Sequence, residues 1–226
     1  MRTFIALIIA AIFLVGCQPN DQEVKEHISF YKVPLVCGAA PEIGCGSRIK
    51  PLFIDTEREK AIRESWTNRE GTVIAFVWDV HTNTNEQKVK ELFAKNSIEA
   101  EMVTDTSILK ELRASFRDDG RWYKGMDVDQ LSIEEAGVIA GQTTDFALGE
   151  GLIDSSEATI LRKDIEEYFK SELVKVRTLA NLSSDSLQER WRTDAYEIAV
   201  QKVGKERADK IMHAYDQKLS EVEKCE

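Results

Sequence analysis

Three histidines, four prolines and four cysteines are few for 226 residues. The scarcity narrows the chemistry available to the chain. No lysine- or arginine-rich cluster occurs and the formal charge is −10, so nucleic acid is not expected as a partner. The chain contains no G-x-x-x-x-G-K-[ST], no G-x-G-x-x-G after a strand, no H-E-x-x-H and no G-x-S-x-G. The usual phosphate-binding, dinucleotide-binding, zinc-protease and serine-hydrolase signatures are therefore missing. Asp127-Val128-Asp129 opens like a calcium loop. Ser132, however, stands where that loop needs glycine, and Val138 where it needs glutamate, which excludes an EF-hand. No low-complexity block or internal repeat appears, and the apolar fraction of 42% is that of a folded chain.

Only one long apolar run is present, and it opens the chain. Arg2 precedes an uncharged stretch from Phe4 to Val15 that ends in Leu14-Val15-Gly16-Cys17. That stretch is too short for a spanning helix, which takes roughly 20 residues, so it reads as a cleaved targeting segment. Leu14-Val15-Gly16-Cys17 resembles the lipobox of bacterial lipoproteins. The resemblance implies cleavage before Cys17, acylation of that residue, and a mature protein anchored in the cell envelope. Gln18, where an aspartate would retain such a protein at the inner membrane, implies the outer membrane in hosts that have one. Loss of Arg2 takes the side-chain charge from −10 to −11, and a chain so acidic is repelled by anionic lipid. The membrane contact is then the acyl group, at ~0.8 kcal/mol per buried methylene.

The expected fold class is α+β: a small α/β N-terminal half containing a β-α-β unit, followed by a mainly α-helical C-terminal half. The expected divisions are a signal peptide at 1–16, a polar tether at 17–27, an α/β region at 28–125 and a helical region at 126–226. Ile28 to Val36 reads as an edge strand because of Pro34, and Ile49 to Ile54 as a short strand. Thr56 and Glu59 read as a capping box opening a helix to Arg69. Val73 to Trp78, continuous and rich in β-branched and aromatic residues, reads as a buried central strand. A helix bearing Val89, Leu92 and Phe93 and a strand over Ile98–Val103 complete the β-α-β unit. Later expectations are a helix over Ser107–Arg117 and another capped by Ser132 and Glu135 that ends near Gly149. A third, capped by Asp154 and Glu157, carries a stripe from Ala158 to Ala180. Two more begin at Ser184 or Asp185 and after Gly204. Arg121-Trp122-Tyr123-Lys124 reads either as a contact surface or as a tryptophan closing the core, and the core is favoured.

Cys37 and Cys45, separated by a Gly- and Pro-rich segment, are the one departure from a generic scaffold. In an oxidising compartment they suit a structural disulfide. They also suit a reactive thiol pair, with Arg48 and Lys50 as tuning cations. A metal site is the third alternative, with His81 as a further ligand, although the spacing is poor for zinc. Cys225 is left over, His27 falls in the tether and His213 on the outer face of the last helix. No cofactor is required by the residues, and a metal ion remains open. Two functions compete. One is a non-enzymatic, membrane-anchored protein that binds an envelope protein or component, and the other is an envelope thiol-redox or metal-binding protein using Cys37 and Cys45. The first is favoured because it demands least of the residues.

Overall fold

The computed structural model describes residues 26–38, 40–82 and 84–222; the lipobox, Cys17 and Cys225 lie outside them. In chain order, β1 (Ile28–Lys32) leads to a hairpin of β2 (Val36–Cys37) and β3 (Ala40–Gly44). Then come α1 (Gly46–Thr56), β4 (Ile62–Asn68), β5 (Val73–Trp78), α2 (Glu86–Lys95), β6 (Glu101–Met102), α3 (Thr106–Ser115) and β7 (Trp122–Lys124). A single 3-10 turn feeds α4 (Val128–Gly149), followed by α5 (Ser155–Leu173), α6 (Leu179–Leu182), α7 (Asp185–Val203) and α8 (Lys205–Val222). The class is α+β, sheet first and helices after.

The main sheet has the order β6-β1-β5-β4-β7, and each neighbouring pair is antiparallel. All six residues of β5 are buried, as its continuous apolar run requires. Ile74, Phe76 and Trp78 face a core built with Tyr31, the α1 residues Ile49 and Phe53, and Phe93 of α2. Val73 and Ala75 face the other way, onto Phe30, Trp122 and the α3 residues Ile108 and Leu112. Because β5 and β6 both run antiparallel to β1, they point in the same direction, with β1 between them. The two strands of the expected β-α-β unit are thus parallel but not adjacent.

Several local expectations are corrected. β1 is an inner strand, since β5 and β6 flank it and Pro34 falls beyond its end. Ile49–Ile54 is helical. A proline inside a helix costs about 3 kcal/mol, yet Ile49, Leu52 and Phe53 share one face and are fully buried, each gaining roughly 1.5–3 kcal/mol. Burial outweighs Pro51. The expected helix from Thr56 to Arg69 is instead β4, whose register slips between Ile62 and Glu64, so its two-residue period is broken where a reader would look for it. Thr56 does not cap a helix start; its hydroxyl donates to the Phe53 carbonyl and accepts from Ser65 Oγ at 2.6 Å. Arg121–Lys124 contains β7, with Trp122 and Tyr123 buried, so the contact-surface reading fails.

The helical half follows its punctuation more closely. Asp154 and Glu157 form a reciprocal capping box at the start of α5. Gly204, with φ +81°, ends α7 where another residue would be strained. The long stripe expected to run to Ala180 stops at Leu173, where α5 ends. α4 starts at Val128, which leaves Ser132 and Glu135 inside the helix, both buried.

Candidate metal centre

The β2–β3 hairpin folds back at once, pairing Val36 with Gly44, and a register shift before Cys37 re-aims that side chain. Gly44 permits this because a Cβ there would lie 2.7 Å from the Gly71 Cα. Cys45 follows directly and its amide donates to the Leu35 carbonyl at 2.7 Å. It occupies the position before the first turn of α1 but makes no capping bond through its side chain. The sulfur is left to face inward. Gly46 opens α1 against α4, where a Cβ would meet Ser132 Oγ at 2.3 Å and Ser132 N at 2.9 Å. Through that close approach Glu135 reaches the end of α1, and the Gly46 amide donates to Glu135 Oε2 at 3.1 Å. A carboxylate at a helix N-terminus is favoured by the dipole and by the unpaired amides there.

A ligand atom from each of Cys37, Cys45 and Glu135 lies within 4.8 Å of the other two. The three residues are 5%, 9% and 2% exposed. Both cysteines are free thiols in this structure. The Cys45 thiol against it, then burial and the Glu135 charge, push the Cys37 thiol well above the ordinary cysteine value. Burial pushes the Glu135 carboxyl up; hydrogen bonds from Cys37 and Cys45 and from the Gly46 amide, and the charge of Lys50, pull the other way without cancelling it. Three groups that would each be anionic share one buried site. Such a site holds protons or a cation, and a buried Cys37, Cys45 and Glu135 group could hold a metal ion.

Lys50 is wholly buried, donating to the Leu173 carbonyl at 2.7 Å and paired with Asp129 at 2.8 Å. Asp129 in turn receives both guanidinium nitrogens of Arg177, at 2.8 and 2.9 Å. Burial lowers the Lys50 pKa, and Asp129 opposes the shift. Asp129 thus bridges Lys50 and Arg177, and Lys50 ties α1 to the last carbonyl of α5, which also accepts from the Val176 amide, a favourable place for a cation. Of the two cations expected to tune the thiols, Lys50 acts on Glu135 instead. Arg48 is half-buried and takes no part in the hydrogen bonds of Cys37 or Glu135. His81 sits exposed in the turn after β5, its amide held by Asp79, and is not one of the three clustered ligands. Cys17 lies outside the described residues.

Sequence reasoning missed Glu135 because it was assigned to a capping box. The available signal was an acid between Leu131 and Ile139, a place where the apolar stripe of α4 calls for an apolar residue. The same face continues from Glu135 through Ile139 to Thr143, one turn at a time, and becomes a wall of a cavity of about 600 Å³. Phe169 and Leu173 of α5 and Trp191 of α7 form other walls, and Cys37, Cys45 and Glu135 lie along its lining. Comparison with protein-family models, with curated proteins and with solved structures found no match.

Proposed function

We propose that this chain is a lipid-anchored envelope protein that binds a thiophilic divalent cation, zinc being the type, through Cys37 Sγ, Cys45 Sγ and a Glu135 carboxylate oxygen. The convergence of those three ligand atoms within 4.8 Å, from β2, the start of α1 and α4, carries the reading. The anchor rests on Arg2, the apolar run and Leu14-Val15-Gly16-Cys17. Two sulfurs and one oxygen are a zinc donor set, and three protein ligands with a fourth position open is the arrangement of zinc sites that do chemistry. Binding would release the protons held by both thiols and Glu135, because ligands coordinate in their deprotonated forms. A redox-inert ion would also keep two adjacent thiols reduced in an oxidising compartment.

Thiol-disulfide exchange is the second reading, favoured by the contact of Cys37 with Cys45 and by the helix start behind Cys45. Against it stands Glu135. Reactive cysteines sit in electropositive, partly exposed places, whereas here the Cys45 contact, burial and the Glu135 charge all raise the Cys37 pKa. The test is a titration of the reduced full chain, in detergent and without oxygen, with cobalt(II) as a coloured substitute for zinc. One equivalent should produce thiolate-to-cobalt charge-transfer absorption and tetrahedral ligand-field bands, and Cys37→Ser, Cys45→Ser and Glu135→Gln should each weaken them. No cobalt spectrum, together with ready oxidation of the pair to a disulfide, would refute the metal reading and favour exchange.

A further inference from the structure

The cavity beside the cluster has no role in holding the cation. It is a cleft open to solvent, and its volume of about 600 Å³ falls in the range of small-molecule sites. Its ends differ. At one lie Cys37, Cys45 and Glu135, buried; at the other lie Asp185, Gln188, Glu189 and Arg192, all exposed. Between them the lining is apolar and aromatic, with Ile139, Phe169 and Trp191 prominent. The far side of the cluster is closed by the amide of Gly46 and the body of α1. Because Cys37, Cys45 and Glu135 all line the cavity, a cation that they held would be within reach of a molecule in it.

We infer that the cavity binds a small neutral molecule with an apolar body and a single neutral donor atom, a nitrogen or a carbonyl or hydroxyl oxygen, which completes the coordination of the cation. This rests on the metal reading above. The neutrality follows from charge. Two thiolates and a carboxylate around a divalent ion leave one net negative charge on the cluster itself, and Lys50, the buried cation whose charge reaches Glu135, is held on the Leu173 carbonyl and Asp129 and not on a ligand atom. A second anion brought to that floor would be desolvated beside a like charge, which costs far more than burying a neutral donor. At the mouth Asp185 and Glu189 outnumber Arg192, which disfavours an anion further. The apolar walls set the body of the ligand, since charged or strongly hydrated groups would lose their water there without replacement.

The experiment uses the cobalt-loaded full chain in detergent and three probes. 1-Benzylimidazole carries a neutral donor on an apolar body, imidazole the donor alone, and phenylacetate an anionic donor on a similar body. 1-Benzylimidazole should shift the ligand-field bands, half-saturating at a concentration about tenfold or more below either of the others, as burial of an aryl group predicts. Ile139→Trp, which fills the cavity next to Glu135, should keep the cobalt spectrum and lose that preference; Ala195→Phe, on the α7 wall, does the same from the opposite side if the first variant does not fold. A cobalt spectrum unmoved by every probe, equal half-saturation by imidazole and 1-benzylimidazole, or tighter binding of phenylacetate overturns the inference alone. Failure to bind cobalt at all overturns the metal reading and this inference with it.

Discussion

Replacing Glu135 by glutamine should remove a pH dependence that the metal-free protein otherwise shows. The folded-state pKa of Glu135 is raised above its ordinary value of 4.5, chiefly by burial. A carboxyl with a raised folded pKa binds its proton more tightly when folded. Its contribution to stability is present below the unfolded pKa and is lost as pH rises through the folded one. Each pH unit between those two values costs about 1.4 kcal/mol, because the unfolded chain gives up the proton there and the folded one keeps it. Glutamine keeps an oxygen for the Gly46 amide and cannot ionise, so this term vanishes from the variant. The assay is urea unfolding of metal-free, reduced wild type and Glu135→Gln between about pH 5 and pH 8, the window between the carboxyl and thiol ranges. Other carboxylates, such as Glu64, which burial would raise but which Trp66, Arg117 and Lys124 hold down at about 2, titrate alike in both proteins. They cancel in the difference. The variant should gain on the wild type steadily with pH, and zinc should reverse the order by stabilising the ionised wild-type cluster alone. A stability difference that does not change with pH would refute the buried-carboxyl argument.

Phe76→Ala should destabilise the protein by about 3–5 kcal/mol, because the ring is fully buried and touches Tyr31 and Phe93, each at 5.7 Å between centroids; a urea midpoint within error of wild type would remove β5 from the core. Gly46→Ala should loosen cobalt binding by about 10–100-fold, since its Cβ forces α1 away from Ser132 and draws Cys45 from Glu135; an unchanged affinity would show that the approach of α1 to α4 does not set the site. Cys17→Ser should abolish incorporation of an alkyne fatty acid and move the protein from the membrane to the soluble fraction, and equal label and sedimentation would end the lipoprotein reading.

Two of the three candidate ligands were legible beforehand. Cys37 and Cys45 stand out because thiols are few and the segment between them rejects regular structure. Glu135 did not stand out, since an acid three residues after a serine matches a local capping pattern, and only its partner at Gly46, 89 positions away in the chain, shows what it does. Lys50 was noticed as a cation near two thiols. Its actual partners, the Leu173 carbonyl and Asp129, are likewise distant in sequence and redirect its role from the thiols to the frame of the site.

The same division runs through the fold. Signals that act within one turn or one strand could be read directly: the apolar run of β5, the Asp154–Glu157 box, the stop at Gly204, the helical stripes of α2 and α5. Each depends on neighbours within a few positions, where backbone sterics and short hydrogen bonds decide the outcome. Where the decision lay with remote partners, local reading failed. Residues 49–54 form a helix despite Pro51 because burial against the sheet outweighs propensity, and β4 hides its period in a bulge that only β5 explains. The amino-acid sequence alone determined the class, the punctuation and the two thiols. Tertiary packing decided that α1, β2 and α4 meet, because burial at roughly 1.5–3 kcal/mol per side chain, summed over several, overrides local preferences of about one, or about three at a proline.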